Sequence, residues 1–203
     1  NKYYQIAPCF RDEDPRADRA PGEFYQLDFE MSFATQEDVF KVIEDVVPYT
    51  FKKFNDWKVD EGPFVRIPYK EAMENYGIDK PDLRNPLIIQ DGTKLFKNSE
   101  FKAFENKTIK LIVVPDGAKQ GRKFFDRMEE FAKTDEVGSK GLAWTKFDEN
   151  GEITGGIAKF ITEDIKQHLK NEYGVQNNSA IFFVADEFNK AQKIAGLVRI
   201  ELG

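Results

Sequence analysis

Regular alternation of apolar and polar residues near the start of the chain constrains its fold more than any other feature. From Tyr25 to Phe33 every second residue is apolar, and the residues between them are polar. Successive side chains of a strand point to opposite faces, so this pattern predicts a β-strand with one apolar and one polar face. The segment before it predicts a partner strand, in which one parity holds Gln5, Ala7, Cys9 and Arg11.

If the two strands pair as a hairpin, one face of that hairpin is polar. It carries a guanidinium group, two small side chains, two carboxylates and two amides, contributed by Arg11, Ala7, Cys9, Asp28, Glu30, Gln5 and Gln26. A packed core does not have this composition, so we interpret the face as a site.

The segment that connects the two strands, Asp12 to Glu23, is highly charged. Proline and glycine at Pro15 and Pro21-Gly22 set its bends, and it is too long for a tight two-residue turn. Its residue types alone fit either a solvated hairpin tip or part of a site.

A helix is predicted after the second strand. Thr35-Gln36-Glu37-Asp38 has the spacing of a capping box, and an apolar stripe follows it. Pro48 should end or kink this helix, although Tyr49, Phe51 and Phe54 indicate that helical structure resumes. A second, short helix from Tyr69 to Tyr76 should close at Gly77 in a left-handed cap.

Proline and paired charges at Asp79-Lys80-Pro81-Asp82 predict a domain boundary, with one domain at 1–84 and another at 85–203. The second domain alternates strands with helices, which is typical of an α/β sandwich. Its strands are predicted at 109–114, 142–147, 180–185 and 197–202, and its helices at 123–133, 162–171 and 187–195.

Composition excludes several classes of protein. A net charge of −6 at pH 7 and a pI near 5.1 argue against binding of nucleic acid by bulk charge, although local basic contacts stay open. A single cysteine excludes an internal disulfide, and no Cys/His cluster would hold zinc. Without a run of transmembrane length or a signal-peptide pattern, we expect a soluble cytoplasmic protein with no membrane partner. The one histidine, His168, lies in a predicted helix and is most simply a surface or packing residue.

Three blocks of sequence carry a resemblance to one family. The first consists of Phe10-Arg11-Asp12-Glu13-Asp14, Arg16-Ala17-Asp18-Arg19 and Glu23-Phe24-Tyr25-Gln26-Leu27-Asp28. It resembles motif 2 of the class II aminoacyl-tRNA synthetases, and its sequence is most similar to that of the bacterial aspartyl-tRNA synthetases. The second block, Tyr76 to Arg84, resembles the segment before the inserted domain of that family. The third, Gly138 to Trp144 with Gly155 to Phe160, resembles the inserted domain.

The resemblance implies a fold and an activity. The fold is α+β: residues 1–84 would be part of the antiparallel sheet of a class II synthetase, and 85–203 an inserted α/β domain of the kind shared with tRNA-dependent amidotransferases. The activity is that of an aspartate–tRNA ligase, which uses ATP and Mg²⁺ to make aspartyl-adenylate from L-aspartate and transfers the aspartyl group to tRNA. Motif 1, for a homodimer interface, and motif 3 are not visible, so we interpret the chain as an internal fragment, inactive alone, with metal ligands outside it.

The resemblance also implies the roles of individual residues. Arg11 would touch both the α-phosphate and the aspartate carboxylate, the Phe24 ring would stack on adenine, and Asp28 would receive the ammonium group of the substrate. The implied sets are Arg11, Asp12, Glu13 and Phe24 for ATP, Arg11 and Asp28 for aspartate, and Arg16 and Arg19 for the acceptor end of tRNA.

Other interpretations remain open at this stage. Arg11 could form an ion pair with a loop carboxylate, and Arg16 and Arg19 could simply be solvated. The loop also departs from the family, with Ala20 where many relatives carry an amide and Gly22 as an added residue. A different class of function, a non-catalytic tRNA-binding or interaction module, remains as an alternative, and charging of the asparagine tRNA is undecided.

Overall fold

The computed structural model describes residues 1–12 and 21–203, which form two compact units, 1–66 and 67–203. The first unit contains the predicted hairpin. Strands β1 (Lys2–Phe10) and β2 (Glu23–Met31) pair antiparallel, with Gln5 opposite Asp28 and Cys9 opposite Phe24. The predicted pairing is confirmed, and its register decides which side chains share a face.

Helix α1 (Gln36–Phe54) follows the hairpin and begins with the predicted capping box. The Thr35 hydroxyl accepts a hydrogen bond from the backbone N–H of Asp38, and the Asp38 carboxylate accepts one from the backbone N–H of Thr35 at 2.8 Å. Pro48 lies inside this helix and does not end it. A proline removes only one i→i−4 hydrogen bond, and the helix continues through Tyr49, Phe51 and Phe54.

The second unit combines one sheet with four helices among the residues described. Its strands are β3 (Ile89–Asp91), β4 (Thr108–Val114), β5 (Ala143–Phe147), β6 (Ile153–Thr154) and β7 (Ala180–Asp186). Its α-helices are α2 (Tyr69–Tyr76), α3 (Arg122–Ala132), α4 (Glu163–Glu172) and α5 (Phe188–Leu202), with short 3₁₀ turns at 102–104, 117–119 and 158–160. The sheet has the order β3-β4-β7-β5-β6, and all its pairs are antiparallel.

Helices cover both faces of this sheet, because residues of its central strands alternate between two apolar clusters. Ile112, Phe182 and Val184 face one cluster, together with Phe125 and Met128 of α3 and Ile194 and Val198 of α5. Leu111, Ile181 and Phe183 face the other, together with Ile165 and Leu169 of α4. Antiparallel sheets combined with helices agree with the predicted α+β class.

The two units divide at 66/67, whereas the sequence suggests a domain boundary at 84/85. The segment between these positions belongs to the second unit, because α2 packs on α5. There the Gln192 side chain donates hydrogen bonds to the backbone carbonyls of Met73 and Glu74, at 2.5 and 3.3 Å. The assignment of 85–203 as an inserted domain stays a prediction.

The strand predicted at 197–202 is wrong, since these residues form the last turns of α5. A short apolar run is compatible with either a strand or a buried helix. The spacing of the apolar residues over a longer segment distinguishes the two. The buried residues of this helix recur at helical intervals: Ala191, Gln192, Ile194, Ala195, Gly196, Val198 and Arg199.

Arg199 is fully buried although it is charged. Its guanidinium donates to the carbonyl oxygens of Leu87, Asn85 and Asp82 at 2.5, 2.7 and 3.3 Å, and lies 4.9 Å from the ring centroid of Tyr76. The Asn85 side chain donates in return to the carbonyl of Arg199 at 2.9 Å. These bonds tie the last helix of the second unit to its opening segment.

His168 lies on α4, as expected for a surface position, and is partly exposed. Its Nδ1 lies 2.6 Å from Glu172 Oε1, and its Nε2 lies 3.9 Å from Asp164 Oδ1. The hydrogen bond to Glu172 raises the pKa of His168 above its ordinary value. Because the pKa is raised in the folded state, this pair stabilises the protein below about pH 6.5. That contribution is lost as the pH rises through the raised value.

We therefore predict that the ring of His168 titrates above the ordinary value of about 6.5. The chain contains one histidine, so its ring proton can be followed by NMR without assignment ambiguity. Glu172→Gln should lower the titration midpoint, while Asp164→Asn, which removes the more distant carboxylate, should lower it less. A larger effect of Asp164→Asn would contradict the pairing seen here.

A second prediction concerns the contact of α2 with α5. Gly77 ends α2 with φ +70°, and a Cβ there would lie 2.4 Å from the Cα of Gly196. Gly77→Ala should therefore cost about 1–2 kcal/mol for the left-handed backbone and about 1–3 kcal/mol more for overpacking. Gly174, with φ +69° and nothing within 4 Å of its Cβ position, is the matched control.

Urea unfolding can separate these two costs. In a Trp57→Phe background, Trp144 reports on the second unit alone, since Trp57 lies in the first. Gly174→Ala should show only the backbone cost, and Gly77→Ala the larger loss of stability. Equal losses would mean that the α2–α5 approach tolerates a methyl group.

Candidate active-site hairpin

The polar face of the hairpin is defined by the register of its strands. Residues directly opposite each other in an antiparallel pair point to the same side. The pairs Tyr3–Glu30, Gln5–Asp28, Ala7–Gln26 and Cys9–Phe24 therefore form one continuous face. This is the face that the sequence predicts as polar, and we refer to it below as the polar face.

A chain of hydrogen bonds crosses the polar face near Asp28. The Tyr3 hydroxyl donates to Gln5 Oε1 at 2.8 Å, and Gln5 Nε2 donates to Asp28 Oδ2 at 3.2 Å. The amide of Gln5 thus orients the carboxylate of Asp28, which is partly buried. Asp28 keeps further lone pairs with which to accept hydrogen bonds from a cationic ligand.

Arg11 and Phe24 come together at the other end of the polar face. The backbone N–H of Arg11 donates to the carbonyl of Gly22 at 2.8 Å, which continues the strand pairing one step beyond β1. The Arg11 guanidinium lies over the Phe24 ring, with Cζ 5.1 Å from the ring centroid. Arg11 is exposed and Phe24 is partly buried, so a planar cation and an aromatic ring are both presented on this surface.

Cys9 and Gln26 lie between these two ends. The thiol of Cys9 is 3.6 Å from the carbonyl oxygen of Ala7 and 4.0 Å from Gln26 Oε1. These contacts are weak, and the middle of the polar face therefore consists of small or neutral groups between a cation at one end and a carboxylate at the other.

The sequence-based interpretation did not assign Tyr3 to this site. Tyr3 has the same parity as Gln5, Ala7 and Cys9, so the alternation of residues along the strand indicates that it lies on the polar face. Its aromatic side chain is more typical of a core residue. Its hydrogen bond to Gln5 makes it a support for the carboxylate end of the polar face.

Four residues implied for ATP or tRNA belong to the loop. Asp12 is described and exposed. Glu13, Arg16 and Arg19 lie outside the described residues. Their roles stay predictions that rest on the family resemblance.

The opposite face of the hairpin is apolar and exposed within its unit. Tyr4, Phe10 and Tyr25 each expose 73% of their surface, and Ile6 exposes 66%. The two faces thus separate the residue types as the alternation predicts, with the polar groups collected on one side.

Two further features, a metal-binding cluster and a membrane-spanning helix, are absent from the residues that the structure describes. In that part of the chain no group of three or more His, Cys, Asp or Glu side chains is arranged to hold a metal ion. Nor does any described helix have the length and hydropathy needed to cross a membrane.

Comparison with known proteins gives a consistent result. Residues 1–192 match the family described as tRNA synthetases class II (D, K and N). The aspartate–tRNA(Asp/Asn) ligase of Rickettsia bellii (strain OSU 85-389) is 51% identical over 207 residues, covering 100% of this chain and 34% of that protein. The aspartate–tRNA(Asp/Asn) ligase of Rickettsia akari (strain Hartford) is 51% identical over 208 residues, with the same coverage of both chains.

A relative from a different bacterium has a name that does not mention the asparagine tRNA. The aspartate–tRNA ligase of Streptomyces avermitilis is 51% identical over 201 residues, covering 99% of this chain and 34% of that protein. The chain therefore spans about a third of the length of the curated relatives it matches.

Proposed function

The chain belongs to the class II tRNA synthetases of the D, K and N type, and we propose that it supplies the motif 2 hairpin of an aspartate–tRNA ligase. Such an enzyme activates L-aspartate with ATP and transfers it to tRNA. One observation carries the proposal: the strand register places Arg11, Phe24 and Asp28 on the same face of the hairpin.

The chemistry of activation explains why a guanidinium is needed there. A carboxylate oxygen of aspartate attacks the α-phosphorus of ATP, an oxygen–phosphorus bond forms, and the bond to the pyrophosphate leaving group breaks. Both reactants are anionic, so charge repulsion and alignment limit the rate. A planar guanidinium can bond both anions at once and stabilise the charge as it develops. Arg11 is the residue that we assign to this role.

Spacing along β2 supports the assignment of the two ends. Phe24 and Asp28 are four residues apart on one face, which separates them by about 13 Å in a strand. That span suits an extended aminoacyl-adenylate, with its adenine stacked on Phe24 and its ammonium group bonded to Asp28. The Arg11 guanidinium lies at the Phe24 end of this span, and in the proposal it reaches from that end to the phosphate next to the nucleoside.

The ammonium contact at Asp28 is the second step of the proposal. A carboxylate that receives an ammonium group forms a charge-assisted hydrogen bond, which is stronger than a neutral one. Gln5 holds one oxygen of this carboxylate before the substrate arrives. The orientation of Asp28 is therefore prepared in the hairpin itself.

The remaining parts of the proposal follow from the family. Asp12 and Glu13 would contact ATP, and Arg16 and Arg19 would contact the acceptor end of tRNA. We also propose, from the family alone, a homodimeric state, a cytoplasmic location and an inserted domain at 85–203. ATP is used with Mg²⁺ in this chemistry, and in the proposal the ligands of the ion lie outside the residues that the structure describes.

Relatives named for aspartate alone and for both aspartate and asparagine tRNAs are 51% identical to this chain. Identity in this region therefore does not distinguish the two activities.

We predict that Arg11→Lys in the full-length ligase keeps the charge but loses the planar fork. Aspartate-dependent pyrophosphate exchange should fall by about a hundredfold or more, as for the loss of one transition-state donor. A rate near that of the wild type would remove Arg11 from the site.

A separate prediction tests the other end of the polar face. Asp28→Asn keeps the shape of the side chain but removes the charge that receives the ammonium group. The KM for aspartate should rise by about tenfold to a hundredfold, the value of a hydrogen bond to a charged group, while the KM for ATP changes little. Asp45→Asn, an exposed carboxylate on α1, is the matched control and should change neither constant. An unchanged KM for aspartate in Asp28→Asn would refute the assignment.

A further inference from the structure

A cavity of about 510 Å³ lies in the second unit, where two strands of the sheet separate. The pairing of β5 with β7 ends at Ala143, opposite Phe183, whereas β7 continues to Asp186. The residues that line the cavity come from both sides of this gap and from the 3₁₀ turn at 102–104. Its volume falls within the range of about 300–1,000 Å³ that is typical of ligand sites.

The backbone of Ala185 on β7 is directed into this gap. Ile109 lies opposite Ala185 on β4, and its carbonyl accepts a hydrogen bond from the N–H of Gly92 at 2.9 Å, on the side away from β7. Hydrogen-bonded and non-hydrogen-bonded pairs alternate in antiparallel sheets, so Ala185 directs its N–H and C=O away from β4, to the side of β5. The next residue of that side, Gly141, does not pair with them, and its carbonyl accepts from the Ser139 hydroxyl at 2.7 Å instead. Within the part of the chain that the structure describes, the N–H and C=O of Ala185 therefore form no hydrogen bond.

Apolar side chains lie beside this free strand edge. Phe104, Ile157 and Phe183 are buried, line the cavity and belong to the apolar cluster against which Ala185 packs. A residue paired with Ala185 would direct its own side chain to the same face of the sheet. One extended peptide can therefore use both features, with its backbone on the strand edge and an apolar side chain against Phe104 and Ile157.

The charges at the rim of the cavity indicate what should flank that apolar residue. Two carboxylates of the lining, Glu129 and Asp186, are in ion pairs with lysines of this chain. The rim also carries Glu105 and two exposed lysines, Lys102 and Lys140, for which the described residues supply no ion pair. Positive charge therefore predominates at the rim, which favours acidic residues in the bound segment.

We propose that this cavity binds an extended, acidic segment of a partner protein. One residue of that segment exchanges two backbone hydrogen bonds with Ala185, as a further strand would, and places an apolar side chain in the cavity. Acidic residues on either side of it lie near Lys102 and Lys140. The proposal does not depend on the chemistry of the hairpin, which belongs to the other unit.

A blocked peptide, acetyl-Glu-Leu-Glu-amide, is the probe that tests the proposal. Calorimetric titration of the full-length ligase should show binding with a Kd below about 1 mM. Replacing the N–H of the leucine by an ester oxygen removes the donor to the Ala185 carbonyl, and the affinity should fall about five- to tenfold. The same replacement at the preceding glutamate is the matched control, because that N–H points away from β7 and its loss should leave the affinity unchanged.

Variants of the protein locate the bound peptide. Lys140→Glu should weaken binding about three- to tenfold, while Lys193→Glu, at an exposed position of α5 outside the cavity lining, should have no effect. Ala185→Pro removes the N–H that pairs with the peptide and should weaken binding at least as much as the ester. This N–H forms no bond in the sheet, and an unchanged thermal transition would show that the variant is folded.

Each contrary result would overturn a named part of the proposal. Absence of binding at 1 mM peptide would refute the site itself. Equal affinities of the two esters would refute pairing with the strand edge, since only one of them lacks the donor. Binding that survives both Lys140→Glu and Ala185→Pro would place the peptide elsewhere on the protein. The ester series needs no variant, so the pairing is tested even where Ala185→Pro fails to fold.

Discussion

The register between β1 and β2 is the constraint on which the candidate site depends. It places Gln5 opposite Asp28 and Cys9 opposite Phe24, so that Phe24 and Asp28 fall on one face of the hairpin, with Arg11 continuing that face opposite Gly22. A shift of one residue would turn that whole set to the other side. The backbone hydrogen bonds of the hairpin set the face on which Phe24 and Asp28 lie, and the short chain of hydrogen bonds from Tyr3 orients the carboxylate of Asp28.

The second unit depends on a different constraint, which is the closure of its first segment on its last helix. Gly77 and Gly196 let two backbones approach more closely than any side chain would permit. Burying a guanidinium costs several kcal/mol unless it is well bonded, and three backbone carbonyls meet that requirement for Arg199. Burial lowers the pKa of Arg199. The three carbonyl oxygens nevertheless stabilise the charged guanidinium by accepting its hydrogen bonds. The guanidinium in turn supplies the donors that these carbonyl oxygens need. These hydrogen bonds explain why a charged residue lies on a largely apolar face of the helix.

Structural features that depend on the local spacing of residues could be predicted from the sequence, whereas features that depend on packing between distant segments could not. The hairpin and the capping box of α1 follow from local spacing, and both were predicted correctly. The strand at 197–202 was wrong because Leu197, Val198 and Ile200 fit either period over so short a run, and only the packing of α5 decides between them. The Arg11–Phe24 contact depends on the register across the loop and on a side-chain rotamer, so alternation predicts a shared face but not the contact.

The exposure of the polar face determines where its binding energy can act. An exposed ion pair contributes only about 0–1 kcal/mol, whereas a hydrogen bond to a charged group contributes about 1.5–3 kcal/mol. In the function proposed for this hairpin, the contacts that strengthen as charge develops on the reacting phosphate are the ones that serve the transition state.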